Sequence, residues 1–131
     1  SIGFSLLDHD YNADFSHTYS ITRALSQKIL KTGLPSGVCL NVNIPNAKDE
    51  LKGVKVCRQA AGQWVEEFKR SEDGANKQVF WLTGRFDNDE PNDEATDEWA
   101  LANGYTSIVP IKVDMTDHDS LSQMLSLEEL V

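Results

Sequence analysis

Residues 96–116, TDEWALANGYTSIVPIKVDMT, carry two hydrophobic rhythms joined by a stop signal. The Thr96 hydroxyl is placed to accept from the free N–H groups of a first helical turn. Asp97 and Glu98 then put negative charge at the positive end of that helix dipole. Trp99, Ala100 and Ala102 suit a short packed helix, and Asn103-Gly104 supplies a left-handed stop. Beyond it Tyr105, Ser107, Val109, Ile111 and Val113 alternate with Thr106, Ile108, Pro110 and Lys112, the two-residue period of a strand. Pro110 has no N–H to give, which predicts a strand at a sheet edge or a bulge. Asp114-Met115-Thr116 closes the strand and offers a cap to a further helix. The order helix, turn, strand, helix anchors the reading of the rest.

The chain has 131 residues, enough for one domain, with the apolar and charged fractions of an ordinary globular protein. Its net charge of −9 argues against a sequence-independent grip on nucleic-acid phosphates. A phosphate ligand would need a cation or a local basic group beside it. Cys39 and Cys57 both sit inside apolar strand-like runs and read as buried thiols rather than a disulfide. No apolar run is long enough to span a bilayer, so no membrane partner is expected and a cytoplasmic location is.

The chain opens at Ser1 directly into IGFSLL, which reads as a buried sheet strand lacking neighbours. From this we expect the later part of a longer protein. Removal of a leader would explain the missing methionine but not a start in mid-sheet. A helix follows, capped by Asp14 or Ser16 and running to about Thr32, with Ile21, Ala24, Leu25, Lys28 and Ile29 on one face. Gly33 and Leu34-Pro35 stop it. The next strand, residues 38–44, places Val38, Leu40, Val42 and Ile44 on one face and Cys39, Asn41 and Asn43 on the other. Those asparagines either border a pocket or cap loop backbone. Val54, Val56 and Arg58 alternate in a further strand. Strand, helix, strand is the unit of a parallel α/β sheet.

Residues 64–83 read as an extended hairpin turning at Asp73-Gly74. Aromatic and charged groups mix in it, so the arm has little core of its own. Asp87 to Glu98 is strongly acidic; its spacing fails an EF-hand loop, and it is expected to be a solvated approach to the helix that Thr96 caps. The tail is amphipathic, with Leu121, Met124, Leu125, Leu127 and Leu130 at helical spacing. The expected units are therefore 1–62 (sheet and helix), 63–84 (arm), 85–115 (acidic loop, short helix and strand) and 116–131 (terminal helix).

Tests for catalytic motifs return little. There is no Gly-x-Ser-x-Gly elbow, Walker loop, dinucleotide glycine fingerprint or Cys-x-x-Cys pair. In the tripeptides Asp8-His9-Asp10 and Asp117-His118-Asp119, adjacent side chains diverge and cannot by themselves converge on one ion. Asp14 and His17 are spaced to meet on a helix, but two ligands make only a weak site.

Three ordered blocks carry a family resemblance: "LNVNIP" at 40–45, "GVKVCRQ" at 53–59 and "TDEWALANGYTSIVPIKVDMTD" at 96–117. Together they resemble the SurE family, the stationary-phase survival nucleotidases, and the last looks like its closing signature. The resemblance implies an α/β fold: the C-terminal part of a Rossmann-like sheet, with an extended β-hairpin and a C-terminal amphipathic helix. It implies a parent hydrolase acting on nucleoside 5′- and 3′-monophosphates with a divalent cation, magnesium or manganese. Hard oxygen ligands leave such an ion open positions for phosphate and water. The family's metal-binding aspartates, serine and asparagine have no counterpart in this chain, so no metal ligand or catalytic residue is transferred. The chain alone is expected to be inactive and to bind no ion.

What does transfer is peripheral. Arg58, in the second block, either reaches an anion or forms a surface salt bridge, with Asn41 and Asn43 as possible neighbours of a site. Thr96, Asp97, Gly104, Tyr105, Ser107, Asp114 and Thr116 belong to the closing motif, with capping and packing as their first tasks. The resemblance also implies a homo-oligomer, dimer or tetramer, built through the hairpin and the terminal helix. A non-catalytic assembly or binding module derived from the same fold is the alternative reading.

Overall fold

The computed structural model describes residues 1–46, 51–72 and 78–130. The central sheet has the order β1-β2-β8-β3, with β1 at Ile2–Leu6, β2 at Val38–Ile44, β3 at Gly53–Val56 and β8 at Tyr105–Lys112. β1 and β2 run parallel, as a strand-helix-strand unit requires, with α1 (Tyr19–Thr32) as the crossover. β8 runs antiparallel to β2 and parallel to β3, so the sheet is mixed. The α/β class expected from the sequence is the class observed.

Directly paired residues share a face, so the register sorts the sheet into two sides. On one side Leu40, Val42, Ile44 and Ile108 form a buried cluster against Ile2, Leu6, Ile21, Leu25, Ile29 and Leu34. This is the side α1 covers. Burying a side chain such as Val42 or Ile44 contributes about 1.5–3 kcal/mol. On the other side Cys57, Ala100 and Val109 pack with Tyr105 under α2 (Asp97–Ala102). The alternation within residues 38–44 is the pattern that permits both clusters. β1 is less buried than its composition suggests: among the described residues it pairs with β2 alone, and Gly3, Phe4 and Ser5 are exposed.

Three expectations need correction. β8 is an interior strand, not an edge. Leu40 directs its N–H away from β8, to the Ser1 carbonyl, so Leu40 and Pro110 form a pair that exchanges no ladder bonds. On its other side β8 is paired only from Tyr105 to Ile108, and the last bond runs from the Cys57 N–H to the Ile108 carbonyl. Pro110 thus stands where the chain needs no donor. Second, α1 is not capped by Asp14 or Ser16. Asp14 accepts from the Ser16 N–H at 2.8 Å and hydroxyl at 2.9 Å, which nucleates a 3₁₀ turn, Ser16–Thr18, ahead of the helix. Third, α3 (His118–Met124) is capped by Asp117, whose carboxylate accepts from the Asp119 and Ser120 N–H groups. Asp114 instead accepts from the Thr116 N–H and pairs with His118.

The arm is a hairpin of two ladders. β4 (Gly62–Val65) pairs with β7 (Arg85–Asn88), and β5 (Phe68–Glu72) pairs with β6 (Gln78–Leu82). The alternation expected to run unbroken from Trp64 to Arg70 is interrupted between the ladders, where Glu66 adopts a left-handed φ of 56°. The Asp73-Gly74 turn expected from the sequence lies outside the described residues. Among the described residues no helix is long and apolar enough to cross a membrane.

Candidate functional site

Arg58 follows β3 and leads into the arm. Its N–H donates to the Ala95 carbonyl at 3.0 Å and its carbonyl accepts from the Asp97 N–H at 2.9 Å, which draws the chain away from β8. The guanidinium then donates to both Glu90 oxygens, at 2.7 and 2.6 Å, and to Asp93 at 2.6 Å. Glu90 also accepts from the Ala61 N–H at 2.8 Å, and Asp97 accepts from the Ala60 N–H at 2.8 Å. The Arg58 guanidinium and the Ala61 N–H hold the Glu90 carboxyl down to about 2. The Ala95 N–H, followed by Arg58, lowers that of Asp93. The cluster fastens the two legs of the arm where they leave the domain.

This corrects the reading of residues 87–98 as a solvated loop. Asp87 and Asn88 belong to β7, while Glu90, Asp93 and Asp97 carry the clasp. Sequence reasoning missed these three as partners. No local signal marks them: it is the register of the folded arm, continued outward from Gly62–Asn88, that places Arg58 opposite Asn92, within reach of Glu90 and Asp93.

The polar residues singled out in β2 lie on the α2 side of the sheet. Register aligns Ser5, Asn43, Ser107 and Lys55 in one row across all four strands. Asn41 is exposed and Asn43 half-buried. Ser107 is 0 % exposed, and its hydroxyl has no hydrogen-bond partner among the described residues. Lys55 lies 4.4 Å from the centre of the Trp99 ring, and Trp99 stacks on Tyr105 with centroids 6.2 Å apart. The structure brings Asn43 and Ser107 together and leaves Arg58 in the clasp.

The closing motif does its local work. Thr96 accepts from the Trp99 N–H at 3.3 Å and donates to the Asp93 carbonyl at 2.8 Å. Gly104 takes φ 81° to end α2. Burial, then the neighbouring Asp97 carboxylate, pushes the Glu98 carboxyl up. Cys39 and Cys57 are free thiols, and burial pushes that of Cys57 up.

Among the described residues no three His, Cys, Asp or Glu side chains converge. The carboxylates of Glu90 and Asp93 are already neutralised by Arg58. Asp114 and His118 form a two-membered pair at 2.7 Å. Asp14 and His17, spaced to meet, are directed elsewhere: Asp14 bonds Ser16, and His17 Nε2 lies 3.3 Å from the Pro45 carbonyl.

With this geometry in place, comparison with known proteins is direct. The family model described as "Survival protein SurE" matches residues 1–66. Among curated proteins, the 5′-nucleotidase SurE of Christiangramia forsetii is 48% identical over 128 residues, covering 96% of this chain and 48% of that protein. That of Flavobacterium johnsoniae is 47% identical over 125 residues, covering 95% of this chain and 48% of the relative. The crystal structure of the SurE protein from Aquifex aeolicus superposes with a TM-score of 0.73 at 32% identity, covering 97% of this chain and 51% of that one. The chain spans about half the length of the curated relatives it matches. The match over the first 66 residues, the identity across nearly the whole chain and the shared fold agree, and the chain belongs to the SurE family.

Proposed function

We propose that this chain is the C-terminal part of a SurE-type 5′-nucleotidase, a phosphoric monoester hydrolase. Its substrates are nucleoside 5′- and 3′-monophosphates. The observation that carries the reading is sequence identity of 48% spread over 96% of the chain with a protein named for that activity. In this reading the magnesium or manganese ion is held by residues outside these 131, and the chain alone releases no phosphate. Its own contribution is the sheet, the arm and the tail.

The exposed apolar groups support assembly into a homodimer or tetramer. Phe68, Phe80 and Trp81 on the arm and Leu121, Met124 and Leu125 on the tail are all more than half exposed. Exposed apolar groups gathered on two projecting elements support a protein-contact role. Phosphate release from AMP with added manganese or magnesium tests the reading. The full-length protein should turn over and the 131-residue chain should not. Turnover by the short chain overturns the division of labour. A full-length protein that assembles in the ultracentrifuge yet releases no phosphate favours a non-catalytic assembly module, which the same exposed arm would also serve.

A further inference from the structure

An open cavity of about 710 Å³ lies where the loop after β1 meets the root of the arm, lined by His9, Trp64, Glu67, Leu82, Thr83 and Gly84. Its volume is in the range of about 300–1,000 Å³ that small-molecule sites occupy. Its place is telling: His9 follows the carboxyl end of β1, and open α/β sheets take their ligands outside the carboxyl ends of parallel strands.

The break between the arm's ladders shapes this cavity. Glu66 sits at φ 56°, a conformation that L-residues seldom adopt, and Gly84 at φ 121°. Thr83 locks the break, its N–H donating to the Glu67 carbonyl at 2.7 Å and its hydroxyl to the Glu66 carbonyl at 2.8 Å. A Cβ on Gly84 would lie 3.2 Å from the Val65 carbonyl and 3.4 Å from the Trp64 ring. Held strain of this sort clusters at binding and catalytic positions.

The lining has a definite chemistry. Trp64 is 61 % exposed and touches Phe86 edge-on, with centroids 6.1 Å apart. Leu82, 81 % exposed, adds an apolar edge. Glu67 supplies a carboxylate, and among the described residues no lysine or arginine is in the lining. A phosphate is repelled by such a wall, whereas a planar ring bearing N–H or O–H donors is held by stacking and by the carboxylate. We propose that this cavity is the nucleoside subsite of the nucleotidase, taking a purine base against Trp64 with Glu67 accepting from its amino group. The inference rests on the proposed nucleotidase function. It adds the part of the substrate recognised here and the residues that recognise it.

The test uses the protein as its cell produces it, with adenosine and ribose 5-phosphate as probes in calorimetry and AMP as substrate. Adenosine should bind, and Trp64→Ala should weaken it about 5- to 150-fold, the range for loss of one base stack. Trp64→Phe should stay within about threefold of the native protein, because a ring remains to stack on. Its near-native affinity also guards against loss by misfolding. Glu67→Gln should weaken adenosine and leave ribose 5-phosphate unchanged. Adenosine binding that is absent, or unmoved by Trp64→Ala, overturns the subsite. AMP hydrolysis with KM unmoved by Trp64→Ala sinks the subsite and spares the nucleotidase reading. Adenosine bound at Trp64 without phosphate release from AMP does the reverse.

Discussion

Arg58 and Glu90 meet through two parallel hydrogen bonds of 2.7 and 2.6 Å, one residue just ahead of β4 and the other just after β7. A planar fork matched to a carboxylate fixes direction as well as distance. The fork adds to the backbone bonds of Arg58 and Ala61 in tying the two legs of the arm together where they leave the domain. Arg58→Lys keeps the charge and removes the fork. Hydrogen exchange at the Ala61 and Asp89 amides should quicken, with little change in global unfolding because the pair is solvent-exposed.

The same clasp has a pH signature. Glu90 titrates at about 2 when folded against 4.5 when free, so its stabilisation is complete above about pH 4.5 and fades as pH falls toward 2. Protection of the Ala61 amide should follow that window in the native protein and be flat across it in Glu90→Gln. Identical profiles for the two proteins would falsify the assignment.

Thr96 is fully buried and bonded at both ends of its hydroxyl. Thr96→Ala should cost about 1 kcal/mol in urea unfolding, and Thr96→Ser should recover most of it. A loss confined to fraying of α2, with the midpoint unmoved, would show that α2 contributes nothing to the global fold.

The break in the arm gives a pair of opposed effects. Glu66→Gly removes the left-handed penalty of about 1–2 kcal/mol, offset in part by the greater freedom of unfolded glycine, and should raise the melting temperature. Gly84→Ala meets a left-handed φ and the Val65 carbonyl together and should lower it. Shifts of the same sign in both variants would contradict the conformation described.

Ser107 buries a hydroxyl with no partner among the described residues. Replacing it by alanine removes a desolvated polar group, so Ser107→Ala should stabilise the 131-residue chain by about 1 kcal/mol. A loss of stability in this chain would mean that the hydroxyl is bonded in solution after all.

Much of the fold was legible along the chain. The alternation of Leu40, Val42 and Ile44 with Asn41 and Asn43 placed β2 and its buried face, and Thr96 with Gly104 bounded α2. The errors came where distant segments decide. Pro110 argued for an edge, yet its strand is interior, because strand position depends on partners far away in sequence. The acidic run at 87–98 looked solvated because its cation, Arg58, is some thirty residues distant. Local pattern carries no information about which oppositely charged group the hairpin returns to it.

The sequence by itself determined the periods, the Thr96 cap of α2 and the family, since each depends on neighbours within a few residues or on blocks read in order. Only the tertiary structure decided that Arg58 is spent on Glu90 and Asp93, that Ser107 is shut away beside Asn43, and that Trp64 faces a cavity shared with His9. Those relationships are set by how the hairpin folds back and which strands adjoin, and a side chain's chemistry follows from what is brought against it.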